Sequence, residues 1–498
     1  MGHRQAFTSF VANTKELKSH LTTAQLGLAA KLNSPVITNL ASNMRTEHDS
    51  MGKVQVADDV YYQAQTQRAC NNFQFSERRF PSQAIHAVLD IKQAAAQANG
   101  ELGLIEADIS EAIQQAAKAS KNLDFAKHFP IDLFQTGSGT SSNMNVNEVV
   151  ASQASELLAD KVHPNDHVNR CQSSNDVIPA SIQISSLRQL EGSLYPAMDI
   201  LSSRLKQLAK QHTNTLKTGR THLMDAMPIT LGQELSVWQQ QLSHAQAQLK
   251  LSAQNLYALP LGGTAVGSGV NCHPRFATLA CHYLQQLDQL PWTPAALPAL
   301  YMSSQDHHLA LASALKGLAV CLLKMANDLR WMNSGPTAGL QEIRLSALQP
   351  GSSIMPGKVN PVIPEAVAMI AAEVIGNETS ICIAAQSGNF QLNVMLPLIA
   401  EKLLSSIELL SQACSAMSDK VFADFQVNSE YLNQILAKNP ILATALNSDI
   451  GYDLAAKIAK HADKEQKTVL EIALEETDLD EAQLKALLDP LKLAKPHA

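Results

Sequence analysis

Residues 187–208 read LRQLEGSLYPAMDILSSRLKQL, with leucine or methionine at 187, 190, 194, 198, 201, 205 and 208. Spacings of three and four throughout are those of one buried face on a long helix. Pro196 lies inside this run. A proline there must kink the helix or be absorbed by a local bend. The pattern resumes after the turn-rich stretch 213–233, with Leu235, Trp238, Leu242, Ala245, Leu249 and Leu256. Residues 307–332, 362–385 and 396–418 are apolar and rich in alanine. Such segments predict long helices packed closely as a bundle, and so a mainly α-helical fold. Alternating β-branched runs are few, and no strand followed by GxGxxG occurs. Several helices are too apolar to be covered by polar loops alone. Either they pack across subunits or one large subunit buries them.

The chain has 498 residues, 45% of them hydrophobic, 17% charged and 5% aromatic. That length suggests about three domains. A mean hydropathy of −0.07 is globular, and no run approaches ~18 uninterrupted apolar residues. The net charge of −7 and low aromatic content give no reason to expect nucleic acid or a membrane as partner. Seven scattered cysteines lack any CxxC spacing, which points away from a zinc cluster and a secreted disulfide framework, and towards a reducing, cytoplasmic compartment. The first 44 residues have no secretory pattern and read as a helical extension or a weak organelle-targeting segment. Beyond about residue 430 the chain turns polar. Stretch 470–484 holds six acidic and no basic residues, as a small solvated helical domain would.

Four loops interrupt the helical pattern. QTGSGTSSN (135–143) leads into a helix-like stretch, Met144–Leu158. Its glycines, hydroxyls and free N–H groups make either an anion cradle or a plain capping loop. HPNDH (163–167) precedes SSND (173–176). His163 and His167 have the spacing of a metal pair, but so many neutral donors better suit hydrogen bonding to a small acid. GRTH (219–222) supplies His222, a side chain able to exchange protons near neutral pH. GSSIMPGKVNP (351–361), with Glu365 beyond it, offers hydroxyls, backbone donors, one cation and one amide. It does not fit a phosphate-binding P-loop. As a shaped loop it suits a dicarboxylate and the further charge of a carbanion; as a surface loop it means nothing.

These motifs resemble the fumarase/aspartase superfamily, and within it the iron-independent class II fumarases. GSSIMPGKVNP resembles the superfamily signature, while QTGSGT, HPNDHVN, SSND, GRTH and GGTAVG (262–267) are the fumarase-like features. The resemblance runs from about Arg45 to near Leu474. It implies a three-domain, mainly α-helical subunit (45–172, 173–429 and 430–498, with 1–44 outside). It also implies a homotetramer whose active sites are each shared by three subunits. The implied reaction is reversible hydration of fumarate to (S)-malate, within the tricarboxylic acid cycle, with no metal or organic cofactor.

By the same resemblance Ser352 is the base that takes the carbon-bound proton, and His222, oriented by Glu365, handles the other proton. Ser138, Gly139, Thr140, Ser173, Ser174, Asn175, Thr221, Ser353, Lys358, Val359 and Asn360 bind the two carboxylates. His163, Pro164, Asn165 and Asp166 resemble a second, non-catalytic acid-binding position. Several residues depart from the family pattern: Gln63, Asp160, Thr337, Gln391, Ser448 and Asp449, with Val362-Ile363-Pro364 more aspartase-like. The alternatives are an aspartate ammonia-lyase, in which Gln usually replaces His222, and a catalytically silent scaffold.

Overall fold

The computed structural model describes residues 43–495. The expected N-terminal extension therefore lies, up to residue 42, outside the described residues. Two compact units are distinguished. In the smaller, whose described residues are 43–46 and 55–59, the Asp58 N–H donates to the Asn43 carbonyl at 2.8 Å. The larger unit, residues 47–54 and 60 onward, carries everything below.

Its longest helices are α1 (Ser82–Glu101), α2 (Thr140–Leu158), α3 (Ser174–Gln189), α4 (Tyr195–Gln211), α5 (Leu231–Ala253), α6 (Asp306–Met332), α7 (Val362–Gln386) and α8 (Leu396–Ala416). The last five, with α3, pack as a bundle, α6 against α7 and α7 against α8 most extensively. The opening stripe is its core: Leu187, Leu190, Leu194, Met198, Leu201, Leu205 and Leu208 are all buried.

Pro196 is absorbed rather than kinking the bundle. Residues Leu190–Leu194 form a single π-turn between α3 and α4, closed by the Tyr195 N–H to the Leu190 carbonyl. Widening one turn relieves the clash a proline ring makes with the preceding carbonyl. SSND is also more than a loop. Ser173 is an N-cap, its hydroxyl accepting from the Asn175 N–H and its own N–H donating to Asp176, so Ser174 and Asn175 sit in the first turn of α3.

The stretch 213–233, read as turn-rich, holds a β-hairpin, one of the few places where strands pair in this mainly helical chain. Strands β1 (Leu216–Thr221) and β2 (Met224–Thr230) pair antiparallel, with Thr221 opposite Met224. The two-residue loop is His222-Leu223, both at positive φ, 56° and 61°. That is the turn whose twist matches a hairpin, though it usually takes Asn or Gly. Its sequence gave no such signal.

Two helices, α6 and α7, have the length and mean hydropathy (1.7 and 1.4) of a membrane span, although neither is uninterrupted. Much of α7 is uncovered in the single chain, with Met369 and Ile383 exposed. At the C-terminal end, α9 (Tyr452–Glu465), α10 (Val469–Glu476) and α11 (Glu481–Leu487) close around a separate apolar cluster that includes Leu446, Ile458, Ile472 and Leu484. The segment expected to be solvated thus has its own small core.

Candidate active site

The first group of site residues is built where α2 and α3 begin. Gly139 caps α2 at φ 72°, a conformation glycine adopts without strain. Gly137 is held tighter still: its carbonyl accepts from the Leu396 N–H at 3.0 Å, and a Cβ there would lie 1.7 Å from the Val394 carbonyl oxygen. Ser138 and Thr140 hydroxyls meet at 2.8 Å. Asn143 donates to Ser174 Oγ at 3.0 Å, joining the two helix starts. The GGTAVG loop closes the group, because Asn175 donates to the Ala265 carbonyl and Asp176 accepts from the Gly262 and Thr264 N–H groups. So Ser138, Gly139, Thr140, Ser173, Ser174 and Asn175 come together as one patch of hydroxyls and amides.

Sequence reasoning missed what supports this patch. Asp176 and Lys92 are completely or almost completely buried beneath it. Burial pushes the Asp176 carboxyl up to about 7 and the Lys92 ammonium down to about 7, each shift opposed by the other's charge. Asp176 stood in the quoted SSND. Lys92 sits in an apolar, alanine-rich helix, and one lysine there carries no motif signal.

The second group is the loop 351–361. The Gly351 N–H donates to the Lys358 carbonyl at 2.8 Å, and Asn360 Nδ2 to the Gly351 carbonyl at 2.7 Å. These two bonds fold the segment into a closed ring. Inside it Ser352 Oγ accepts N–H bonds from Ile354 (3.2 Å) and Met355 (3.1 Å). Lys358, Val359, Asn360 and Glu365 line a cavity of about 900 Å³ together with Arg330 and Arg344, two cations the sequence had not singled out. Ser352 opens onto the adjoining hollow of about 390 Å³, and Ser353 is exposed beside it.

The third is the hairpin tip with Thr221 and His222, both exposed. Its stem is fixed by Glu342, which accepts from Lys217 at 2.6 Å and Arg220 at 2.7 Å, while Lys217 also reaches Glu234 at 2.6 Å. Among the described residues no hydrogen bond or ion pair connects the three groups, and none joins His222 to Glu365 as expected. One chain supplies the parts separately.

The proposed second acid position is a π-turn, Pro164–Val168, capped by His163. His163 Nδ1 accepts from the Asn165 and Asp166 N–H groups and lies 3.2 Å from the Asp166 carboxylate. His167 Nδ1 accepts from the His163 N–H at 3.1 Å. Both imidazoles thus use their Nδ1 atoms to shape the turn. The departure at Gln63 is accommodated, its N–H bonding Glu148 and its amide Ser152.

Residues 52–376 match the lyase family model, and 442–495 match the fumarase C C-terminus. A class II fumarate hydratase of Pseudomonas aeruginosa is 53% identical over 91% of this chain and 99% of its own. One from Thermus thermophilus is 46% identical over 91% of this chain and 99% of its own. The crystal structure of the class II fumarase from Schistosoma mansoni superposes with a TM-score of 0.89 at 37% identity, over 92% of this chain and all of that one.

Proposed function

We infer how the three groups work from one premise: the chain belongs to the lyase family, among the class II fumarate hydratases. The protein is a hydro-lyase that adds water reversibly to fumarate, giving (S)-malate. In the dehydration direction the difficult step is removal of a carbon-bound proton beside a carboxylate. Negative charge then grows on that carboxylate and needs donors already in place.

Ser352 is the base. A serine hydroxyl ionises at neutral pH only where its oxygen is already solvated by donors. Two backbone N–H groups at 3.1 and 3.2 Å do this for Ser352 Oγ. That double donation is the observation on which the reading rests, with Lys358 at the far side of the same ring adding positive charge. His222 moves the other proton, to and from the departing or entering water, with Glu365 setting its orientation and charge. Ser138, Gly139, Thr140, Ser173, Ser174, Asn175, Thr221, Ser353, Lys358, Val359 and Asn360 hold the substrate carboxylates by hydroxyls, amides and one cation. His163, Pro164, Asn165 and Asp166 hold a second acid molecule without catalysing.

Because one chain carries the groups unconnected, the working site is assembled from three subunits of a homotetramer. The uncovered face of α7 supports this, and we read α6 and α7 as core helices of that assembly in a cytoplasmic enzyme, not as membrane spans. The retained His222 favours water over ammonia as the group added.

The test follows fumarate by its ultraviolet absorbance, with malate and then with aspartate. Fumarate should form from malate; formation from aspartate alone would reverse the choice. Ser352→Ala should cut turnover by roughly two to four orders of magnitude while leaving substrate binding largely intact. Near-normal turnover would remove Ser352 as the base.

A further inference from the structure

Lys92 is wholly buried in the middle of α1, and the chemistry assigned to the site does not use it. Its Nζ donates to Asn169 Oδ1 at 3.0 Å and to Gln172 Oε1 at 2.9 Å. The same Asn169 oxygen accepts from Asn143 Nδ2 at 3.3 Å, and Asn143 Nδ2 donates its second hydrogen to Ser174 Oγ at 3.0 Å. Gln172 is satisfied on its other side, its Nε2 donating to the Val168 and Arg170 carbonyls.

The direction of the bonds in this chain is fixed at Asn169 from two sides: its Nδ2 donates to the Gln172 carbonyl at 3.2 Å, and its oxygen faces Lys92. An ammonium has donors and no acceptor, so the Asn169 atom facing it must be the oxygen. An oxygen in that place requires Asn143 to offer its NH₂. The NH₂ in turn makes Ser174 Oγ an acceptor, and the single hydroxyl proton of Ser174 is left to donate elsewhere. An anionic carboxylate needs that proton. If the Asn143 amide turned over, its oxygen would take the Ser174 proton and the serine lone pairs would face the substrate.

Among the described residues nothing else holds Asn143 in its present sense. Among the described residues its Oδ1 has no hydrogen-bond partner, although it is buried. Burial lowers the Lys92 pKa to about 7 against the attraction of Asp176. Even the neutral amine keeps two N–H donors for its two oxygens, so the sense of the relay survives deprotonation.

We propose that Lys92 is a positioning residue for carboxylate recognition, setting through Asn169 and Asn143 the direction in which the Ser174 hydroxyl donates. Asn143 and Asn169 are members of the relay, and Lys92 touches no substrate. The inference rests on the reading that Ser174 contacts a substrate carboxylate.

Three variants of the full-length enzyme test it by steady-state kinetics with malate: Ser174→Ala, Lys92→Met and Asn143→Asp. Asn143→Asp keeps the shape of the side chain and can only accept from Ser174. Each should raise KM roughly tenfold or more, the scale of one hydrogen bond to a charged group, with kcat within about threefold of the parent. A merely structural role for Lys92 would lower the melting temperature and the active fraction without moving KM. If Ser174→Ala raises KM but the other two leave it within about twofold, the relay is overturned. If Ser174→Ala itself leaves KM unchanged, the placement of Ser174 at the substrate is wrong and the inference falls with it. Should Lys92→Met fail to fold, Asn143→Asp decides alone.

Discussion

Lys217 and Glu342, far apart in sequence and both almost completely buried, meet at 2.6 Å beneath the hairpin that carries His222. Glu342 holds Arg220 with its other oxygen, so one carboxylate pins two residues of strand β1. Removing the shared carboxylate charge leaves Lys217 to Glu234 alone and Arg220 without its partner, at a cost below the ~3–5 kcal/mol of a fully uncompensated buried charge. Glu342→Gln should therefore lower the melting temperature and, by loosening the hairpin stem, reduce turnover. An unchanged melting curve would show that the pair does not anchor the hairpin.

Gly137→Ala should displace the QTGSGT loop, because the added Cβ would meet the Val394 carbonyl oxygen at 1.7 Å. A shift of about 1 Å in a positioning loop costs roughly a hundredfold. The expected result is a fall of that order in kcat/KM, read by fumarate absorbance.

Asn360→Ala removes the amide that closes the Ser352 ring on the Gly351 carbonyl. With only the Gly351–Lys358 bond left to close the ring, the Ile354 and Met355 N–H groups should converge less tightly on Ser352 Oγ. Turnover should drop roughly 10- to 100-fold, with a smaller change in melting temperature. Retained turnover would mean that the ring holds its shape without Asn360.

The His307 and His308 rings lie 4.0 Å apart between centroids with their planes tilted by 46°, both buried at the start of α6. Burial lowers the His307 pKa to about 4, against a small opposing effect of Asp306, and burial and the neighbouring imidazole take His308 well below its ordinary value. Unfolded, each titrates near ~6.5. Between that value and about 4 the unfolded chain binds more protons. Stability from the neutral rings is complete above pH ~6.5 and is lost as pH falls, by about 1.4 kcal/mol per unit for each ring. Thermal melts from pH 7.5 to 5 should decline less steeply in a His307→Gln/His308→Gln variant than in the parent.

Met369 and Ile383, on the uncovered side of α7, are 69% and 55% exposed in the single chain. On the proposed tetramer with shared sites, Met369→Lys with Ile383→Lys should lower the light-scattering mass and abolish activity, because each site needs neighbouring subunits. Full activity in a monomer would contradict the shared-site reading.

Much of this molecule was legible in its sequence. The stripe from Leu187 to Leu208 identified the buried face of the bundle because helix periodicity is a local property, repeated every 3.6 residues. The glycine- and hydroxyl-rich loops were legible for a similar reason: their hydrogen bonds, such as Gly351 to Lys358 and Ser352 to Met355, join residues only a few positions apart. The hairpin was not legible, because His222-Leu223 takes a backbone that its side chains do not favour and the surrounding pairing overrides that preference.

By itself the sequence determined a mainly helical subunit and the family chemistry, and it supplied the residues proposed to carry that chemistry, since these readings depend on periodicity and on short motifs. Only the tertiary structure decided that Asn143 meets Ser174, that Asp176 ties GGTAVG to α3, that Lys92 lies beneath them, and that no hydrogen bond or ion pair joins His222 to Glu365 within one chain. Those relations join residues tens of positions apart or more. They depend on how helices pack, and a buried lysine or aspartate is held where packing brings enough partners to replace water.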